Sequence, residues 1–238
     1  MGLHKEEIEG VLFDVYDTLV SRSMSDFEKV KQLLPAHADP PSPENQRHAR
    51  IATKIFYAEN RHLTWAVENN LEFWQKYYEL YLSILEVSAP QKKLAHELAA
   101  WSRDPLSYSV DSEASPVLKT LKHHGFTVGL LSNWDTSLAS FCQKLGLLDL
   151  VDMVLASDEI GIRKPDPHIF LIAAEKLAIP PNNFLFIGDS LRKDIAGAKK
   201  AGMKTAWLNH SGEVADFNDN TRPDLIINHL GEVLNHVL

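Results

Sequence analysis

The sequence predicts an α/β fold, a parallel sheet covered by helices and interrupted after its first strand by an α-helical insertion. Three observations carry that expectation. Short apolar runs recur along the chain with helical stretches between them, and strands alternating with helices build parallel sheets covered on both faces. From about residue 21 to 103 such runs are missing and helical periodicity takes over. The strand-like runs also end in polar residues, at the edge where open α/β sheets bind ligands.

The elements follow in order. Ile8 to Phe13 is a short apolar run closed by Asp14, which reads as a buried strand with a carboxylate at its C-terminal edge. Later runs are Phe126 to Leu131, Met153 to Ala156, Phe184 to Ile187, Lys204 to Leu208 and Asp224 to Ile227. Helices are expected over Ser115 to His124, Thr136 to Leu145, Pro167 to Leu177, Leu191 to Ala201 and Leu230 to Val237. Asp166-Pro167 supplies an N-cap followed by proline at the first helical position, and Gly202 stands where the helix from Leu191 should stop. Within the insertion, Ser25 and Glu28 have capping-box spacing, and the proline-rich loop Pro35 to Pro43 separates two helices. Ile51, Ile55 and Phe56 share a helical face. Leu71, Trp74, Tyr78, Tyr81, Leu82 and Leu85 form a second stripe, and Leu94, Leu98 and Trp101 a third. The aromatic stripe is expected mostly in the core of the insertion. The resulting division is 1–20 with 104–238 for the sheet domain and 21–103 for a helical module. That module is expected to be compact, joined through two hinges and able to close over Asp14.

Composition narrows the function classes. The chain has 238 residues, 45% hydrophobic and 24% charged, as in ordinary globular proteins. Its net charge of −8, without a long Lys/Arg block, argues against nucleic acid as a partner. An anionic substrate would then need a locally positive site, such as a metal ion or a placed lysine. A single cysteine, Cys142, excludes an internal disulfide framework and suits a reducing compartment; beside Phe141 in an apolar stretch it reads as a core residue. No secretory h-region and no membrane-length apolar run is present, so the expected setting is cytoplasmic, as monomer or homodimer.

The residues at the strand ends carry the chemistry. Asp14-Val15-Tyr16-Asp17-Thr18-Leu19 follows the first strand and Ser132-Asn133 the second. Lys164-Pro165-Asp166-Pro167 comes beyond the third, and Gly188-Asp189-Ser190, with Asp194 one turn later, follows the fourth. Singly, these residues have commoner uses as caps, turns or solvated side chains. Their order at one edge of successive strands is what those uses do not supply. Clustered carboxylates stay ionised together only beside a cation, and an oxygen-only set suits Mg²⁺. Asp14 could both ligate the metal and attack phosphorus; Ser132 would donate to a phosphoryl oxygen and Lys164 would offset charge.

These four segments resemble the ordered motifs of the haloacid dehalogenase superfamily, and the helical insertion lies where that superfamily places its first type of cap. The resemblance implies a Rossmann-like three-layer α/β/α core with a parallel sheet and an α-helical cap. It implies Asp14 as nucleophile, Thr18, Ser132 and Asn133 as phosphate or substrate contacts, and Lys164 as the motif lysine, also in contact with the phosphate. It further implies Mg²⁺ held by Asp14, the Tyr16 backbone carbonyl and Asp189, with Asp194 in support.

The first motif departs from the phosphatase pattern. Phosphatases of the superfamily usually carry a second Asp, as general acid and base, two residues after the nucleophile; here Tyr16 stands there, and Asp17 replaces the following glycine. A Tyr at that position is similar to the L-2-haloacid dehalogenases. Those enzymes, however, work without metal, have Ser and Asn in the fourth motif, and place a Tyr six residues after the motif lysine. This chain keeps Asp189 and has Phe170 there. The leading expectation is a Mg²⁺-dependent phosphatase acting on a small phosphorylated metabolite. A 2-haloacid dehalogenase and a non-catalytic phospho-ligand or protein-binding member are the alternatives. Arg47, Arg50, Arg61, His62 and Trp65 are the insertion's candidates for reaching substrate.

Overall fold

The computed structural model describes residues 7–35, 40–60, 67–87, 89–210, 212, 214–218 and 221–238. The candidates Arg61, His62 and Trp65, and part of the loop between Pro35 and Pro43, lie outside the described residues. Two compact units divide the chain, Met1–Ser21 with Val110–Leu238, and Arg22–Ser109. No helix among the described residues is long and apolar enough to cross a membrane.

The first unit is a six-stranded sheet flanked by helices. Its strands are β1 (Gly10–Phe13), β4 (Thr127–Ser132), β5 (Met153–Ala156), β6 (Phe184–Gly188), β7 (Lys204–Leu208) and β8 (Leu225–Ile227). They are ordered β5-β4-β1-β6-β7-β8, and every pairing is parallel. Chain order therefore reverses on either side of β1, the arrangement of Rossmann-like sheets, and the crevice beyond β1 is a topological switch point. β1 and β6 are buried at every residue, as strands covered on both faces must be. On one face Leu12, Phe184 and Phe186 pack with Ile169, Phe170 and Ala173 of the helix Pro167–Lys176. Asp166 caps that helix through His168 N, and Gly202, at φ +84°, ends the helix before β7. Cys142 is a buried core thiol, and burial pushes it up to about 12.

The second unit holds the helices Asp26–Leu33, Pro43–Asn60, Val67–Leu85 and Gln91–Arg103. Ser25 accepts Glu28 N, so the expected N-cap is present. Its core gathers Val30, Tyr78, Leu82, Leu85, Leu94 and Leu98. Tyr78 is fully buried because its hydroxyl is satisfied, donating to Asp26 Oδ1 at 3.0 Å beside the Arg22 guanidinium.

Three expectations need correction. The residues taken as wholly helical, 21–103, begin in a strand, β2 (Val20–Arg22), which pairs in a two-stranded ribbon with β3 (Tyr108–Val110) beyond their end. The compact unit Arg22–Ser109 contains all but the first residue of the module expected over 21–103. Ile51 and Ile55 do not enter the core: each is 52% exposed, and the buried residues of their helix are Ala49 and Thr53. Leu71, likewise, is 38% exposed. The segment from Leu191 opens as a wide π-helical turn, Leu191–Ile195, and becomes α-helical only over Ala196–Lys200.

Candidate active site

Asp14 directly follows β1, and its N–H donates to Ile187 O of β6 at 2.9 Å, so the strand ladder itself fixes the backbone at this carboxylate. Ser132, the last residue of β4, donates from Oγ to Asp14 Oδ1 at 3.0 Å. Lys164 Nζ donates to the same oxygen at 2.6 Å and to Asp194 Oδ1 at 2.6 Å. All of these side chains are buried: Asp14 is 6% exposed, Ser132 2%, Lys164 3% and Asp194 1%.

Asp189 and Asp194 come from the turn after β6. Ser190 caps the π turn by accepting Lys193 N, while its own N–H donates to Asp194 Oδ2 at 2.9 Å. The wide turn thereby aims Asp194 back at the strand end. Gly188 is required for this, since a Cβ there would lie 2.5 Å from Asp194 Cγ. Trp207 Nε1 donates to Asp189 O at 2.8 Å and holds the backbone of that residue. One oxygen from each of Asp14, Asp189 and Asp194 falls within 4.8 Å of the others.

The electrostatics follow from that crowding. Burial, then the charges of Asp14, Asp194 and Asp17, push Asp189 up to about 7; Lys193 only partly opposes them. Burial works against the charge of Lys164, but Asp14 and Asp194 outweigh it and hold the ammonium above its ordinary range. Lys164 is therefore a permanent cation, and it serves two of the three carboxylates. The donor set fits a hard divalent cation: it is all oxygen, and the one ammonium leaves two negative charges unmatched.

The remaining sequence-derived residues lie as follows. Tyr16 is 37% exposed and bridges to Val20. Asp17 has left-handed backbone, φ 61°, a conformation that Asp tolerates better than most residues and that glycine adopts freely. Thr18 is 2% exposed, and its buried Oγ1 has no hydrogen-bond partner. Asn133, expected to touch substrate, is engaged elsewhere, since its amide donates to Lys164 O at 3.0 Å and accepts from Lys164 N at 2.8 Å. Each end of the side chain thus makes one bond to the lysine backbone and clamps it. Sequence reasoning missed a second tie between the same loops, the part-buried pair Arg163–Asp158 at 2.8 Å, with Asp158 N donating to Trp134 O. Arg163 adjoins Lys164 and Trp134 adjoins Asn133, so adjacency to the motifs was the available signal. Arg47 and Arg50 are exposed on their helix.

Comparison with known proteins places this arrangement among relatives. A family model described as haloacid dehalogenase-like hydrolase matches residues 8–202. The chain is 29% identical to the glyceraldehyde 3-phosphate phosphatase of Methanopyrus kandleri over 97% of both chains. It is 26% identical to the phosphoglycolate phosphatase of Shigella dysenteriae serotype 1, over 96% of this chain and 92% of that protein. The (S)-2-haloacid dehalogenase 4A of Burkholderia cepacia is 33% identical, but over only 44% of this chain and 46% of its own. Among solved structures, a dehalogenase superposes with a TM-score of 0.75 at 21% identity, covering 96% of each chain. The HAD-hydrolase YfnB of Bacillus subtilis bound to magnesium superposes at 0.71 with 18% identity, over 97% of this chain and 98% of its own. At such identities these two structures speak for the fold.

Proposed function

The chain belongs to the haloacid dehalogenase-like hydrolases, and from that premise we propose that it is a Mg²⁺-dependent phosphatase acting on a small phosphorylated metabolite through an aspartyl-phosphate at Asp14. One observation carries the reading: three convergent carboxylates share a single ammonium, and Asp189 cannot ionise comfortably without a further cation. A metal-free dehalogenase would leave that charge unmatched. The names of the two relatives above that align along nearly the whole chain, both phosphatases, support the same reading.

Asp14, Asp189 and Asp194, with the Tyr16 carbonyl, would hold the Mg²⁺. When bound, the ion would offset their charge and polarise the phosphoryl oxygens. The chain's own groups do the rest. Ser132 and Lys164 both donate to Asp14 Oδ1 and so fix the rotation of the nucleophile. Asp14 attacks phosphorus, the P–O ester bond breaks, and the departing oxygen leaves as the anion or takes the Tyr16 hydroxyl proton, which the water of the second step replaces. Ser132 and Lys164 then stand beside the transferred phosphoryl group and stabilise its charge. Water attacks phosphorus in the second step, releasing inorganic phosphate and restoring Asp14. Thr18 offers one further hydroxyl to the substrate. Tyr16 stands two residues after Asp14, where the usual acid–base would be; a phenol can donate a proton but is a poorer base than the carboxylate it replaces. The enzyme is accordingly slow and prefers good leaving groups, since general acid–base catalysis supplies about 10²–10⁴ in rate.

Tyr16 also motivates the second reading, a 2-haloacid dehalogenase using the same Asp14. A panel of phosphate esters and 2-haloacids, each with and without Mg²⁺, separates the two. Phosphate release that requires Mg²⁺ supports the phosphatase. Halide release insensitive to chelation would establish the dehalogenase, and saturable ligand binding without turnover of any ester a non-catalytic member. Within the phosphatase reading the buried free thiol Cys142 supports a reducing, cytoplasmic setting.

A further inference from the structure

A cavity of about 500 Å³ opens beside Asp189, and its lining comes wholly from the sheet unit. Asp189 belongs both to this wall and to the carboxylate cluster, so whatever fills the cavity reaches the reacting centre. We propose that the cavity is the subsite for the organic part of the substrate, and that it selects phosphate esters of uncharged, hydroxylated carbon chains over esters bearing a carboxylate. The proposal rests on the phosphatase reading above and adds the substrate class to it.

Charge supplies the first argument. Asp17 and Asp111 line the cavity, and among the described residues no lysine or arginine does. A carboxylate entering there loses water, meets like charge and finds no lysine or arginine among the described lining residues, which is discrimination by an unfavourable contact. The second argument is the character of the polar groups. Thr18, Ser21, Asn209 and His210 all line the wall, and hydroxyls, amides and imidazoles can both donate and accept. A hydroxylated chain, which also both donates and accepts, matches such a set. The third argument is shape. Trp207 forms part of the wall and is held rigid by its bond to Asp189 O and by edge contact with Phe217 at 5.8 Å. A fixed aromatic face beside hydrogen-bonding groups suits a chain that presents C–H on one side and O–H on the other, and the volume accommodates a sugar.

The test measures kcat/KM on the full-length enzyme with Mg²⁺ for p-nitrophenyl phosphate, glycerol 3-phosphate, glucose 6-phosphate, phosphoglycolate and phosphoethanolamine. The polyol and sugar phosphates should exceed phosphoglycolate by about tenfold or more, chiefly through KM. Asp111→Asn removes one charge yet keeps the oxygen that accepts Glu113 N at 2.8 Å, so the helix start is preserved. It should raise the ratio of phosphoglycolate to glycerol 3-phosphate about three- to tenfold. Asn209→Ala should reduce kcat/KM for the polyols more than for phosphoglycolate. Preference for phosphoglycolate or phosphoethanolamine in the wild type, or ratios unmoved by both variants while p-nitrophenyl phosphate is hydrolysed, would overturn the subsite and leave the phosphatase standing. No turnover of any ester, p-nitrophenyl phosphate included, would overturn the phosphatase reading and the subsite with it.

Discussion

Replacing Asp189 by asparagine should stabilise the metal-free protein, although the residue belongs to the candidate site. Burial and the charges of Asp14, Asp194 and Asp17 hold this carboxyl at about 7 in place of 3.8. At about 1.4 kcal/mol per pH unit, the ionised form carries about 4 kcal/mol of unfavourable free energy above pH 7. Partial contact with solvent brings the expected effect to roughly 2–4 kcal/mol. Its sign follows from proton counting. Between pH 3.8 and about 7 the native protein binds more protons at Asp189 than the unfolded chain does. Wild-type stability therefore falls as pH rises through that window and levels off above it. Asparagine does not titrate, so its advantage is small near pH 4 and complete above 7. Trp207 bonds the backbone oxygen of residue 189, and that contact survives the substitution. For a chain of this length the gain corresponds to a Tm increase of roughly 4–16 °C at pH 8. Mg²⁺ should close that gap and, at about one thousand times Kd, reverse the ranking, since the wild type then gains about 4.1 kcal/mol by binding and the variant gains little. Thermal melts by circular dichroism at pH 5 and pH 8, in chelator or in Mg²⁺, measure all four quantities. A variant no more stable than wild type at pH 8 in chelator, or an equal gain from Mg²⁺ in both proteins, would refute the reasoning.

Lys164→Met should cost about 3–5 kcal/mol, because it strands two buried carboxylates that each lie 2.6 Å from the ammonium. Urea denaturation should show that loss narrowing in acid as the carboxylates protonate, and a loss below about 1 kcal/mol at neutral pH would contradict the geometry. Asn133→Ala removes both bonds to the Lys164 backbone and should lower kcat/KM about 10- to 100-fold through misplacement of the lysine. An unchanged kcat/KM would leave the clamp without a catalytic purpose. Tyr16→Asp should accelerate alkyl phosphates by up to about 10²–10⁴ and flatten the dependence of log rate on leaving-group pKa. Equal slopes in the two proteins would show that Tyr16 does not stand in the acid–base position.

The sheet was legible because β1 and β6 are buried on both faces and so read as uninterrupted apolar runs. β2 and β3 escaped because three-residue strands such as Val20–Arg22 carry no periodicity long enough to register. Ile51 and Ile55 show the limit of counting apolar residues: they share a helical face, but that face is exposed, and the small residues Ala49 and Thr53 make the close contact instead. In the site, the strand-end rule located Asp14, Ser132 and Asp189, since topology alone carries such residues to one edge. It could not foresee that Asn133 binds the lysine backbone, because that depends on where two loops meet. The same rule, applied to the end of β7, would have singled out Asn209 and His210, which follow Leu208 into the cavity. The need for glycine at 188 becomes visible only once the π turn brings Asp194 back over it.

The central claim is that Asp14 takes the phosphoryl group in a reaction that needs Mg²⁺. Rapid-quench mixing with p-nitrophenyl phosphate, followed by mass spectrometry of the peptide containing Asp14, tests it directly. In Mg²⁺ a burst of p-nitrophenol equal to the enzyme concentration should precede a slower steady state, with one phosphoryl group recovered on Asp14. Asp14→Asn, or the wild type in chelator, should give neither burst nor adduct. Sustained turnover without a covalent phosphoryl group at Asp14, or a burst undiminished by chelation, would contradict the account.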